Sequence, residues 1–263
     1  MARQKHFQQM ERTQPTPKPV ALTVAGSDSG GGAGIQADLR TFAALGVHGA
    51  TAITCVTAQN ARAISRLLPC PPKMVRAQIE AVFSHSPPAA VKTGMLYSAG
   101  IVREVVRFFR QTPGVPLVVD PVMAATSGRR LLQAGAARTL RRDLLPLATL
   151  VTPNLFEAEF LTGRKIRSAE DLRAAARAIW ETFGCAALVK GGHLECGGTA
   201  VDFLCGDGGE WMICAPRVRA IAPHGAGCAY SAAVTAWLAR GASLLKSVER
   251  GKTHISNLLA TAR

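Results

Sequence analysis

AGSDSGGGAGIQAD, residues 25–38, is the stretch on which the fold turns. An apolar run, VALTVA (20–25), leads into it, and GIQADLRTFAAL (34–45) leads out with apolar residues at helical spacing. The glycines between them allow a tight strand-to-helix turn and a close backbone approach to a ligand. Working outward, the same alternation recurs. ATAITCVTAQ, AVKTGML, PLVVDPV, TLVTPN and AALVKGG read as strands. MVRAQIEAVF, SAGIVREVVRFFR and AEDLRAAARAIWETF read as helices. The strands are apolar on both faces, which predicts a mostly parallel sheet with helices on both sides. GTAVDFLC and GEWMICAPRV predict a hairpin around GDGG. A helix through Ala239 and another near the end of the sequence complete an α/β domain over 19–263, with no repeat or internal linker.

The chain has 263 residues, 48% hydrophobic and 18% charged, enough for a large core. No apolar run reaches the length of a membrane span. Residues 1–18 are polar, basic and proline-bearing, and are expected to form a flexible leader. They lack the apolar centre of a secretory signal, so a cytoplasmic protein is expected. The seven cysteines (55, 70, 185, 196, 205, 214 and 228) form no CxxC pair. That argues against a disulfide framework or zinc knuckle and predicts mostly buried, reduced thiols. The net charge of +14 is spread along the chain without a nucleic-acid-binding signature, so no nucleic-acid partner is expected. An anionic small substrate suits the same charge.

The glycine-rich turn lacks the GxxxxGK[ST] phosphate loop. Gly32-Ala33-Gly34-Ile35-Gln36-Ala37 approaches a dinucleotide fingerprint, but the acid required about 20 residues on is missing. After Asp38 the next acidic residue is Glu80. Asp38 lies one turn into the helix, where it either faces a ligand or complements the helix dipole. Asn154 follows a strand and caps the next helix, with Glu157 at the capping-box position. Both also have oxygens suited to a hydrated Mg²⁺. Asp120 and Lys190 end strands where α/β proteins bind ligands. Gly225-Ala226-Gly227-Cys228 opens a small-residue helix. Its free N–H groups make an anion site, and the same field is expected to favour a Cys228 thiolate able to act as a base.

In order, AGSDSGGGAGIQADLRTFAALG, TAQN, KTGML, DPVM, TPNLFEAE, VKGGH and HGAGCAYSAA resemble the segments of the phosphomethylpyrimidine kinases of thiamine biosynthesis. The resemblance covers about residues 20–240. It implies a ribokinase-like three-layer sandwich, Mg²⁺ and ATP as cofactors, and a homodimer. The implied reaction phosphorylates 4-amino-5-hydroxymethyl-2-methylpyrimidine and then its monophosphate. By motif position, Cys228 would be catalytic and Gly225, Ala226 and Gly227 the anion hole. Gly26, Asp38, Gln59, Met95 and Val122 would surround the pyrimidine. Lys190, Gly191 and His224 would face ATP, and Asn154, Glu157 and Asp120 the metal. Gln59 has both a donor and an acceptor for the ring, and Met95 an adaptable apolar contact. Three positions depart from the pattern: Ala226 replaces threonine, Thr126 replaces lysine, and Tyr230 replaces a smaller residue. A related vitamin kinase acting on pyridoxal or a thiazole alcohol, and a non-catalytic pyrimidine-binding homologue, remain as alternatives.

Overall fold

In this computed structural model, the structure describes residues 18–60, 62–125, 128–192, 194, 197–218 and 225–261. The expected leader, apart from Lys18, lies outside the described residues, as do Thr126 and His224.

Strand β1 (Val20–Asp28) enters the glycine turn and helix α1 (Gly34–Ala44) leaves it. Next come β2 (His48–Gln59), β3 (Ile64–Pro69), α2 (Pro72–His85), β4 (Ala90–Thr93) and α3 (Ala99–Gln111). Then β5 (Leu117–Val119) leads through α4 (Ala134–Thr139), a π-turn and a 3₁₀ turn to β6 (Leu150–Val151). Helices α5 (Leu155–Thr162) and α6 (Ala169–Phe183) precede β7 (Ala186–Lys190). The hairpin β8 (Thr199–Gly206) and β9 (Gly209–Pro216) precedes α7 (Ala226–Ala239) and α8 (Leu244–Thr261).

The strands form one sheet in the order β3-β2-β1-β4-β5-β6-β7-β8-β9. The six from β2 to β7 in that order run parallel, β3 and β8 run opposite to them, and β9 returns antiparallel to β8. Side chains alternate between two cores, as the pleat requires. Leu22, Val24, Val91, Val119, Val151 and Val189 face α2, α3, α5 and α6. Val118, Leu150, Leu188 and Leu204 face α7 and α8, and Ala21 and Ala90 pack with Phe42 of α1 and Ala232 of α7. This gives the expected three layers.

Helix α3 shows how the sequence specifies a helix. Ile101, Val102, Val105, Val106, Phe108 and Phe109 are buried on one stripe, and the Ser98 side chain accepts from the Ile101 N–H. Helix α6 spans the expected Ala169–Phe183, with a Ser168–Asp171 capping box and Gly184 at φ 71° ending it. Helix α7 differs, being buried almost all round. Its alanines bring it close to β1, β4 and β5. Among the described residues no helix is long and apolar enough to cross a membrane.

Candidate active site

The carboxyl ends of the parallel strands open into a cavity of about 1050 Å³. The glycine turn and the α7 N-terminus meet along its wall. The Asp28 carboxylate shapes the turn, accepting from the Gly30 and Ala33 N–H groups at 2.9 and 2.8 Å. Gly34 and Gly225 have φ of 57° and 90°. A Cβ on Gly34 would collide with the Gly26 carbonyl oxygen, and one on Gly225 with that of Gly32. These two glycines are therefore required by both conformation and space. Gly225 precedes α7 without a side-chain cap, so the first-turn N–H groups of Ala226, Gly227 and Cys228 open onto the cavity. Lys190 stands over them: a Cβ on Gly227 would lie 3.4 Å from its Nζ.

Cys228 is half-buried on the cavity wall, where the nearby Gly34 backbone N–H favours its anionic form. Burial pushes its thiol up to about 11, against the opposing pull of Lys92. The expected resting thiolate is thus corrected to a thiol, because lost hydration outweighs the positive field. Alkylation of Cys228 by iodoacetamide, followed by site-resolved mass spectrometry, should accelerate about tenfold per pH unit between pH 7 and 10. A rate independent of pH over that range would contradict this thiol state.

At one end of the cavity lie Gly26, Gln59, Met95 and Val122. Met95 and Val122 pack with Cys55, Ile64 and Leu131 as an apolar patch. The Met95 methyl fills the space beside Gly26, where a Cβ would come within 2.7 Å of it. Asp38 is not on this wall. It is fully buried beneath it, accepting from Lys92 Nζ at 2.7 Å and Thr23 Oγ1 at 2.6 Å. Asp38 is corrected from a ligand contact to the internal partner of Lys92, which itself lines the cavity. Burial works against the Lys92 charge, but the Asp38 carboxylate in direct contact, helped by Asp120, outweighs it and keeps Lys92 cationic.

Asn154, Glu157, Asp120 and Lys190 share the middle of the cavity. Asn154 and Glu157 form the expected capping box, both bonds at 2.9 Å. Asp120 accepts from Lys190 at 3.2 Å and from the Ser231 hydroxyl of α7 at 3.0 Å. The Glu157 carboxyl is pushed up to about 7 by burial, opposed by Lys190 and reinforced by Asp120. A cation between the two acids would relieve that penalty. No group of three or more metal-binding side chains occurs among the described residues. The set fits Mg²⁺ that keeps waters and takes its other oxygens from phosphates, and does not fit an all-protein cage. Gly191, expected toward ATP, turns inward. Its N–H donates to Asp202 at 3.0 Å, and Val201 leaves no room for a side chain; Gly192 lines the cavity instead.

The sequence model of the family described as phosphomethylpyrimidine kinase matches residues 28–263. The chain belongs to the phosphomethylpyrimidine kinase family. A hydroxymethylpyrimidine/phosphomethylpyrimidine kinase of Rhizobium meliloti is 45% identical over 244 residues, covering 92% of this chain and 91% of that one. The bifunctional thiamine biosynthesis protein ThiED of Geobacter sulfurreducens is 42% identical over 96% of this chain, which spans only 51% of that longer protein. Among solved structures, the phosphomethylpyrimidine kinase of Clostridium difficile 630 superposes with a TM-score of 0.81 at 40% identity, over 92% of this chain and all of that one. The pyridoxal kinase of Staphylococcus aureus in complex with AMP-PCP and pyridoxal gives 0.81 at 34% identity, over 91% of this chain and 87% of that one.

Three groups of this phosphomethylpyrimidine kinase family site escaped the sequence reading: Lys92, Ser231 and the buried pair Asp202–Lys252, whose Nζ–Oδ2 distance is 2.7 Å. Two carried a signal. A charged residue within the otherwise apolar runs AVKTG and AVDFLC demands a partner from elsewhere in the fold.

Proposed function

We propose that this protein transfers the γ-phosphoryl group of ATP to the hydroxymethyl oxygen of 4-amino-5-hydroxymethyl-2-methylpyrimidine, and then phosphorylates the monophosphate. The observation that carries this reading is the meeting of Cys228, the uncapped α7 N-terminus and Lys190 on one cavity wall. The patch around Met95 suits the flat ring, and Gln59 its polar edge. The patch and Gln59 hold the acceptor hydroxyl toward Cys228. In the first transfer, the new O–P bond forms as the bond from the γ-phosphorus to the β-bridging oxygen breaks. The electron pair leaves with ADP, and the hydroxyl proton passes to the Cys228 thiolate. Cys228 must first release its own proton to solvent, a loss that Lys92 and the Gly34 N–H favour, and after the transfer the proton taken from the hydroxyl leaves the same way. The N–H groups of residues 226–228 and Lys190 face the charge spread over the transferring phosphoryl oxygens. Glu157 and Asp120, with Asn154 beside them, would hold Mg²⁺ through its waters. Mg²⁺, when bound, neutralises phosphate charge.

A homodimer in a reducing cytoplasm belongs to the same reading. Leu68, 70% exposed on the edge strand β3, is a candidate contact, and sedimentation would test the dimer. For the activity itself, the protein is mixed with Mg-ATP and the pyrimidine, and products are followed by mass. Mono- then diphosphate is the expected order. Preferential phosphorylation of pyridoxal or the thiazole alcohol in competition would overturn the substrate assignment. Pyrimidine binding without ATP consumption would overturn the enzyme.

A further inference from the structure

Helix α7 buries two aliphatic hydroxyls, those of Ser231 and Thr235. Thr235 donates to the carbonyl one turn back, Ser231 O at 2.8 Å, a bond wholly within the helix. Ser231 differs. Its Oγ lies 3.2 and 3.0 Å from the Gly227 and Cys228 carbonyl oxygens, and 3.0 Å from Oδ2 of Asp120, just past β5. One hydroxyl proton faces three acceptors. The two carbonyls already have the helix's own N–H groups as donors, whereas the carboxylate makes the stronger, charge-assisted bond. Among the described residues, Ser231 is the sole hydrogen-bond donor to Oδ2. The other oxygen, Oδ1, accepts from Lys190 Nζ at 3.2 Å and from the Thr152 hydroxyl at 3.4 Å. These links close a ring. Lys190 stands over Gly227, which lies one turn before Ser231 on the same helix.

We propose that Ser231 is a positioning residue that, through Asp120, holds the Lys190 ammonium in place over the α7 N-terminus. This rests on the kinase reading, in which Lys190 and the N–H groups of residues 226–228 face the transferring phosphoryl group. A lysine is a flexible stem with a point charge, so its head goes where its carboxylate partner holds it. That carboxylate is free to turn unless its second oxygen is held as well. Ser231 supplies the second hold from the helix whose N-terminus forms the anion site. The cation and the N–H groups are thereby set relative to each other by one element.

The test compares Ser231→Ala with Thr235→Val, each of which removes one buried hydroxyl from α7. Turnover is measured with Mg-ATP and the pyrimidine. Calorimetry gives the affinity for the non-hydrolysable ATP analogue AMP-PNP and, separately, for the pyrimidine. Ser231→Ala should lower kcat about 10-fold, since a displaced charge acts most in the transition state. AMP-PNP should bind it about 3- to 10-fold more weakly, with pyrimidine affinity unchanged. Thr235→Val, whose hydroxyl meets only its own helix, should leave all three values as they were. In a Lys190→Gln background, Ser231→Ala should weaken AMP-PNP binding no further, because its effect runs through Lys190. Wild-type kcat and AMP-PNP affinity in Ser231→Ala would overturn the proposal. Equal losses in the Ser231 and Thr235 variants would do so too, since they mark a role in helix packing. So would an undiminished effect of Ser231→Ala without Lys190. Wild-type protein that neither binds AMP-PNP nor turns over would instead bring down the kinase reading, a result seen before any variant is made.

Discussion

Cys228→Ser is expected to slow turnover by about 10²–10⁴-fold, the usual range for losing a positioned base. Serine keeps nearly the same size. Its hydroxyl, however, ionises far less readily than even a thiol raised to about 11. Gln59 and Met95, the proposed pyrimidine contacts, are untouched, so on that proposal substrate affinity should hold. Single-turnover kinetics with a parallel binding titration separate the two effects. Undiminished turnover would remove Cys228 from proton transfer and leave the N–H groups and Lys190 as the whole catalytic apparatus. A joint loss of binding and turnover would make it a packing residue.

The largest stability effect is expected at Lys92. Lys92→Met leaves the fully buried Asp38 without its cation, at a cost of about 3–5 kcal/mol near neutral pH. The sign of the pH dependence follows from Asp38. Burial already raises its carboxyl above the ordinary value, and Lys92 is the main opposing influence. Without Lys92 the folded-state pKa rises further above the unfolded one. The penalty is then full above the folded pKa and shrinks as pH falls through it, because protonation discharges the buried acid. Denaturant melts at pH 8 and pH 5 should show a smaller gap between variant and wild type at pH 5. Adding Asp38→Asn should recover much of the loss at pH 8. A pH-independent penalty that Asp38→Asn does not reduce would mean that Lys92 matters through packing alone.

Much of this architecture could be read from local pattern. Helix α6 announces itself by Ser168, Asp171 and Gly184, and the β8–β9 hairpin by its glycines. The glycine turn and the α7 junction were legible because few residues other than glycine tolerate the backbone there. Strand β3 was not legible. Its exposed and half-buried residues carry little apolar alternation, and its place comes from pairing with β2. The segment from Ala134 to Leu147 changes from α to π to 3₁₀ winding, which no single period describes. In the site, Asp38 was misplaced because spacing fixes where a residue lies along a helix and not which neighbour meets it. That neighbour, Lys92, comes from another strand and is settled only by tertiary packing. The state of Cys228 was missed for a related reason. The helix field is local, whereas burial depends on everything packed around the thiol.

The seam between the glycine turn and Gly225 has a consequence for synthesis on the ribosome. The two halves of this wall lie near opposite ends of the described chain, and Gly225 meets Gly32 only when α7 has docked on α1. A growing polypeptide can complete β1, the turn and the early strands long before this wall exists. On the proposed mechanism, such a nascent chain can neither grip phosphate at this wall nor consume ATP there. Activity would then arise only once the last helices have emerged, so partial products left by stalled translation would be silent.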